Sequence, residues 1–200
     1  MTDTANSPAP AATDPRPGFF AAADVLGKVL ADIRADQYDL TTPCPEYSVR
    51  DLANHVVSVL RRIAVMGAGG SFMLVPHFAD DVADGGWAAA WEAADADFKK
   101  VWGDPSVLGR TIGLPWGPVP GAVASVMWTN ELVLHAWDIA TATGQQVPWP
   151  DEALAAPLAN MKRAVPAEPR GGQVPFGPVV PVPDDAPAID RLVGWYGRRP

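Results

Sequence analysis

The sequence predicts an all-α protein: one four-helix bundle with long crossing connections and a proline-rich C-terminal extension. Apolar residues recur at three- and four-residue intervals in several segments, which is the period of an amphipathic helix. The chain has no internal repeat and no alternation of strands with helices, so neither a repeat array nor a parallel sheet is indicated. With 200 residues, of which 48% are hydrophobic, it is long enough to bury one sizeable core.

The first two helices are predicted on either side of a proline-rich turn. Apolar residues at helical spacing predict the first helix over residues 18–36. The prolines in residues 41–45 break the helical pattern. Ser48 followed by Asp51 resembles a capping box, so the second helix should begin there and run towards Met66.

The third and fourth helices are predicted around a segment rich in proline and glycine. Tryptophans, an alanine and a phenylalanine at helical spacing predict the third helix over residues 85–101. Residues 111–120 contain too much proline and glycine for a helix and suit a short extended piece. The fourth helix fits residues 121–143, with Gly144 as its C-cap.

The C-terminal part should hold a short fifth helix over residues 151–164 and a last one over 188–196. Residues 166–187 are proline-rich and are expected to form a coil wrapped on the bundle or a flexible strap.

The chain is therefore divided into three expected parts. Residues 1–17 lack the charged start and apolar run of a signal peptide and are expected to be a disordered leader. Residues 18–145 should form the metal-binding four-helix bundle, and residues 146–200 an extension packed on it.

Charge and cysteine usage limit the class of partner. The formal net charge of -8 disfavours nucleic acids and anionic membranes, which are bound through clustered Lys and Arg. Small-molecule chemistry is therefore expected, with the protein a monomer or a homodimer. Cys44 is the only cysteine, so the chain needs no oxidising compartment and a cytoplasmic location is expected.

The fourth predicted helix carries the chemistry. Within residues 121–143 the only ionisable side chains are Glu131, His135 and Asp138, and they share one stripe. Glu131 and His135 are four residues apart, so both side chains can coordinate one ion. Trp128 extends the stripe by one turn.

An alternative interpretation makes this stripe the solvated face of an amphipathic helix, which is the commoner environment for such residues. Most of the circumference is apolar, however, so this helix should be largely buried. A buried carboxylate and imidazole cost several kcal/mol unless they are paired or bind a metal, which favours a site. The apolar positions are Val126, Leu132, Val133, Ala136, Trp137 and Ile139.

His55 completes the predicted ligand set. It falls at the inner edge of the second helix, and the chain has only three histidines. Two imidazoles and one carboxylate leave a coordination position open, as in catalytic zinc sites, although nickel, iron or manganese also fit. Asp51 and Asp138 are placed to accept the second N–H bonds of the two histidines. His77 is interpreted as a surface residue, with ligation the lesser option.

No catalytic residue is assigned from the sequence. Cys44 stands between two prolines without a basic partner, so the segment is interpreted as a tight turn rather than a nucleophile. Tyr47 and Trp128 are the candidates for the wall of a pocket beside the metal.

Two motifs carry a resemblance to a known family. Residues 42–56, TPCPEYSVRDLANHV, and residues 131–140, ELVLHAWDIA, resemble the mycothiol-dependent maleylpyruvate isomerase N-terminal domain of the DinB-like metalloprotein superfamily. The tail FGPVVPVPDDAP (176–187) is similar to a metal-binding subgroup of that superfamily without an assigned activity. One departure is Tyr47, where the family usually has tryptophan.

The resemblance implies a four-helix bundle with one zinc-like ion, held by His55, Glu131 and His135. It also implies that the metal activates a low-molecular-weight thiol such as mycothiol for isomerisation or S-transfer. The leading hypothesis is therefore a metal-dependent, thiol-dependent transferase or isomerase.

Two further hypotheses stay open. A non-catalytic metal- or ligand-binding bundle would have a fourth protein ligand, for which Asp138 and His77 are the candidates. A metal-free interaction surface would keep His55 more than about 7 Å from His135, too far for shared coordination.

Overall fold

Six α-helices and one short hairpin make up a computed structural model of the chain, which describes residues 14–172, 174 and 176–200. The predicted all-α class is confirmed, and the hairpin is the only sheet within these residues. The elements are α1 (Arg16–Ala31), α2 (Val49–Gly67), α3 (Trp87–Trp102), β1 (Thr111–Leu114), β2 (Gly117–Pro120), α4 (Gly121–Thr143), α5 (Asp151–Ala164) and α6 (Ala188–Trp195), with 3-10 turns at Ala35–Gln37, Phe72–Leu74 and Pro105–Gly109.

Helices α1 to α4 form the bundle. Helix α1 packs on α3 and α4, and α2 packs on the same two helices from the other side. Helix α5 lies against α1 and α4, and α6 lies on α5. A cluster of buried aromatic rings, among them Phe19, Phe98 and Trp102, fills the centre. None of the helices in the described part of the chain combines the length and hydropathy needed to cross a bilayer.

The predicted start of α2 is confirmed. The Ser48 side chain accepts a hydrogen bond from the Asp51 backbone N–H, and the Asp51 carboxylate accepts from the Ser48 N–H, which is the reciprocal capping box. This cap fixes where α2 begins and thereby which way His55 points.

The predicted limits of α4 are also confirmed. The helix covers residues 121–143, and Gly144 ends it in the left-handed conformation with φ +71°. Only a residue without a Cβ adopts this conformation at no steric cost, which explains the C-cap signal. The extended piece expected before α4 is an antiparallel hairpin that pairs Thr111 with Pro120.

The first helix was predicted to be longer than it is. It ends at Ala31, and Arg34 is extended before the 3-10 turn Ala35–Gln37. The Gln37 side chain causes this break: its oxygen accepts from the Arg34 N–H, and its amide donates to the Thr143 carbonyl at the end of α4. A buried amide with two such partners outweighs one more helical turn. Of the disordered leader expected over residues 1–17, residues 1–13 lie outside the described residues, and α1 already includes its last two.

Candidate metal centre

Helix α4 presents three ionisable side chains along one face, and they are in contact. The Nε2 atom of His135 lies 3.2 Å from Glu131 Oε1, and its Nδ1 atom lies 3.2 Å from Asp138 Oδ2. His135 is 7% exposed and the Asp138 side chain is fully buried. The Glu131 side chain is 36% exposed, so the stripe is accessible at one end and buried at His135 and Asp138. It is therefore not the fully solvated face of the alternative interpretation.

His55 reaches this group from α2. Its Nε2 atom lies 3.5 Å from Glu131 Oε1, and its ring centroid lies 5.4 Å from that of His135 with the ring planes nearly perpendicular. One donor atom from each of His55, Glu131 and His135 falls within 4.8 Å of the others. A metal-free interaction surface would have kept the two histidines more than about 7 Å apart, so the geometry argues against it.

The spacing of these donor atoms fits a tetrahedral ion. Two ligands bonded at 2.0 to 2.2 Å with a tetrahedral angle between them are about 3.4 Å apart. The two measured separations from Glu131 Oε1, 3.2 Å and 3.5 Å, bracket that value. The donor set of two nitrogens and one carboxylate oxygen also suits zinc, so the residues present fit such an ion.

In the metal-free protein the charges of the cluster favour a protonated His135 beside ionised carboxylates. Burial lowers the pKa of His135, but Glu131 and Asp138 outweigh it and raise that pKa to about 9. Burial raises the pKa of Glu131, yet the imidazoles of His135 and His55 hold it well below its usual value. The metal-free form therefore keeps an imidazolium between two carboxylates.

A pH dependence of stability follows for the metal-free protein. The pKa of His135 rises on folding from 6.5 to about 9, so its contribution is fully present below about pH 6.5 and is lost as the pH rises through about 9. The free energy of unfolding is expected to fall by up to about 3 kcal/mol across that range. Urea titrations of the chelator-treated protein at about pH 6 and pH 9.5 measure it, with His135→Gln as the control that should flatten the profile. An equal urea midpoint at both pH values in the unmodified protein would contradict it.

Of the two aspartates expected to orient the histidines, the structure brings one into place. Asp138 accepts from His135 Nδ1, as predicted. Asp51 does not contact His55: its exposed carboxylate accepts from the Ser48 N–H and hydroxyl. The capping box uses the carboxylate locally, and among the described residues His55 Nδ1 is buried without a hydrogen-bond partner.

Asp138 has a further partner that the sequence did not reveal. The Arg198 guanidinium donates from Nε to Oδ1 at 2.9 Å and from Nη2 to Oδ2 at 2.7 Å. Burial raises the pKa of Asp138, but Arg198 and His135 outweigh it and lower that pKa below its ordinary value. The carboxylate is therefore ionised and held from two sides.

Aromatic side chains form the rim next to His55. The ring centroid of Tyr47 lies 5.5 Å from that of His55, and its role as a pocket wall stays a prediction. Its hydroxyl lies 3.0 Å from His77 Nε2, and the His77 ring centroid is 4.7 Å from that of His55. Phe78 packs edge-on against both Tyr47 and His77. His77, interpreted from the sequence as a surface residue, is exposed but adjoins the site.

Trp128 lies one turn before Glu131 on α4, but its ring packs on the core. Its centroid is 5.5 Å from that of Trp102 and 6.4 Å from that of Phe19, both of which are fully buried. A role of Trp128 in a pocket stays a prediction.

Cys44 also lies close to the cluster, which its sequence context did not indicate. Its sulfur is within 4.8 Å of a ring nitrogen of His135 and a carboxylate oxygen of Asp138. Burial, then the charge of Asp138, raises the pKa of the thiol to about 11. The Cys44 carbonyl accepts from the Tyr47 N–H and the Thr42 hydroxyl, so the segment forms the expected tight turn. A thiol that stays protonated is a poor nucleophile.

Comparison with known proteins gives a family match over the bundle. A profile described as the mycothiol maleylpyruvate isomerase N-terminal domain matches residues 19–140. Two uncharacterized proteins of Mycobacterium tuberculosis, one from each of two strains, are 34% identical over 185 residues, which is 92% of this chain and 98% of theirs.

Two solved structures of a mycothiol-dependent maleylpyruvate isomerase have the same fold. The crystal structure of the mycothiol-dependent maleylpyruvate isomerase aligns with a TM-score of 0.57 and 14% identity, covering 74% of this chain and 69% of that one. A histidine-to-alanine mutant of that isomerase aligns with a TM-score of 0.53 and 12% identity over the same shares. At so low a sequence identity, the structural similarity shows the fold alone.

Proposed function

Because this chain belongs to the mycothiol maleylpyruvate isomerase N-terminal domain family, we propose that it binds one divalent metal and activates a low-molecular-weight thiol of the mycothiol type. The reaction is transfer of the thiol to a small electrophile or a thiol-assisted isomerisation. The protein acts in the cytoplasm, as a monomer or a homodimer, on a small-molecule substrate.

One observation carries the proposal: three donor atoms converge, and no fourth side chain joins them in the described part of the chain. His55, Glu131 and His135 form a set within 4.8 Å, and His77 is not a member of it. Three protein ligands with a free position are the pattern of a catalytic metal, whereas a structural metal has four.

The roles of the residues follow from their contacts. His55, Glu131 and His135 hold the ion, for which zinc is the best fit. A bound ion of this kind supplies a Lewis acid that lowers the pKa of a thiol at its free position. Asp138 fixes the His135 ring by accepting from Nδ1, so that Nε2 is the nitrogen that would bind the ion.

The rim supplies the rest of the chemistry. The Tyr47 hydroxyl and His77 Nε2 are hydrogen-bonded at 3.0 Å, next to the His55 ring. This pair is placed to donate a proton to a product or to hold a polar group of the substrate. Phe78 packs edge-on against both rings of the pair and supports their placement.

Metal content and thiol consumption together test the proposal. Elemental mass spectrometry of the purified protein should find close to one metal per chain, lost when His55, Glu131 and His135 are all replaced by alanine. The metal-loaded protein should consume mycothiol in the presence of a chromogenic electrophile or convert maleylpyruvate, and the triple variant should do neither. Stoichiometric metal without any thiol-dependent reaction would leave a non-catalytic metal-binding bundle.

His77 distinguishes the two candidate functions. Because His77 is a rim residue, His77→Ala is expected to leave the metal content unchanged. The rate of thiol transfer should fall about tenfold or more. Tyr47→Phe, which removes the same hydrogen bond, should lower the rate by a similar factor. Loss of metal in His77→Ala would instead identify His77 as a fourth ligand and favour the non-catalytic bundle.

A further inference from the structure

We propose that Arg198, carried by the C-terminal segment, is a positioning residue of the metal centre: its two-point ion pair with Asp138 fixes the His135 ring for coordination. This inference rests on the proposed metal site and gives the segment after α5 a part in it. The side-chain hydrogen bonds of Arg198 go to Asp138 and to the Tyr196 carbonyl, so its effect on the proposed ligands is indirect.

The ion pair determines the orientation of the Asp138 carboxylate. Nε and Nη2 of Arg198 donate to Oδ1 and Oδ2 respectively, so each carboxylate oxygen has its own donor. The carboxylate cannot rotate without breaking both bonds. Since Oδ2 also accepts from His135 Nδ1, the fixed carboxylate sets the plane of the imidazole.

Burial makes this pair important. The Asp138 side chain is fully buried and the Arg198 side chain is 11% exposed. Removing one partner of a buried pair leaves an uncompensated charge, which the surrounding structure must relieve by moving. The Asp138 carboxylate would then move, and His135, its other hydrogen-bond partner, would move with it.

Arg198 also influences which of two overlapping sets of donor atoms would bind the metal. His135 belongs to the proposed ligand set and to a second set with Cys44 and Asp138, again within 4.8 Å. The hydrogen bonds from the guanidinium to both oxygens favour Asp138 as a hydrogen-bond acceptor over Asp138 as a ligand. A five-donor planar guanidinium does this, while an ammonium offers only a point contact.

The chain turns sharply to deliver Arg198. After α6, Gly197 adopts φ +84°, and a Cβ there would lie 2.9 to 3.0 Å from the backbone of Gly177. Only glycine fits both the conformation and the space. Tyr196 is 3% exposed and packs on Phe176, and the Arg198 N–H donates to the Val193 carbonyl. Contacts on both sides of Gly197 therefore hold the turn that places Arg198.

Arg198→Gln tests the role, with Arg199→Gln as a matched control that removes the same charge from an exposed neighbour. Zinc affinity, measured by competition with a chromogenic chelator, should weaken about 10- to 100-fold in Arg198→Gln and stay unchanged in Arg199→Gln. Arg198→Lys should lie between them, and it serves as the test variant if the glutamine variant does not fold. Equal affinities for Arg198→Gln and Arg199→Gln would overturn the inference.

A second readout does not depend on metal. In the metal-free protein, the Nδ1 proton of His135 should give a slowly exchanging NMR signal, which Arg198→Gln abolishes and Arg199→Gln retains. A signal that persists in Arg198→Gln, or that is missing from the unmodified protein, would refute the positioning role. A protein that binds no zinc at all would refute the proposed function, while the NMR comparison still decides whether Arg198 orients His135.

Discussion

Replacing Glu131 by glutamine is expected to abolish stoichiometric zinc binding. The substitution keeps the size of the side chain but removes the negative charge of the ligand, whose Oε1 lies 3.2 Å from His135 Nε2 and 3.5 Å from His55 Nε2. Residues that merely orient a ligand already account for 10- to 100-fold in metal affinity, so loss of the carboxylate should weaken zinc by more than about 100-fold. Isothermal titration with zinc measures it.

The control for this change is Glu92→Gln, the same substitution on an exposed face of α3. It should bind zinc as the unmodified protein does. If Glu131→Gln kept the affinity of the Glu92→Gln variant, the ligand set proposed here would be wrong. Thermal unfolding of both variants in chelator should show that Glu131→Gln is still folded, so the loss can be assigned to the site.

Sequence periodicity predicted the helices best where a specific cap was present. The limits of α4 follow from an apolar pattern that stops at Gly144, and the start of α2 follows from Ser48 and Asp51. The end of α1 was missed because Gln37 forms its decisive hydrogen bond with Thr143, which is 106 residues away. A local pattern carries no information about such a contact.

The candidate site shows the same difference between local sequence patterns and contacts between distant residues. The contact of Glu131 with His135 follows from helical spacing, because residues four apart share a face. The approach of His55 depends on how α2 packs against α4. Before the structure, it was indicated only by the inner-edge position of His55 on its helix, by the scarcity of histidines and by the family resemblance.

The two aspartates show where spacing alone misleads. Asp138 and Asp51 lie three and four residues from a histidine, and both were expected to orient it. The Asp138 carboxylate lies 3.2 Å from His135 Nδ1, whereas Asp51 caps its own helix. Arg198 could not be predicted, since it reaches Asp138 across 60 residues through a turn at Gly197.

Replacing Trp102 by alanine is expected to have the largest effect on stability. Its side chain is fully buried, stands edge-on to the rings of Phe19 and Trp128, and donates its indole N–H to the Ile63 carbonyl of α2. Truncation of a buried tryptophan costs about 3 to 5 kcal/mol of unfolding free energy, because the cavity collapses only in part. Urea denaturation in the presence of chelator measures the loss.

Two further variants separate the causes of this loss. Trp102→Phe keeps an aromatic ring but removes the donor to Ile63, so it should cost less than alanine. Trp116→Ala, at a position that is 70% exposed on the hairpin, should change the free energy of unfolding by no more than about 0.5 kcal/mol. Equal losses at Trp102 and Trp116 would contradict the assignment of the core.

A zinc ion that binds only the folded state adds its own increment to the free energy of unfolding. If the core substitution leaves the three proposed ligands in place, excess zinc should raise the unfolding free energy of Trp102→Ala and of the unmodified protein equally.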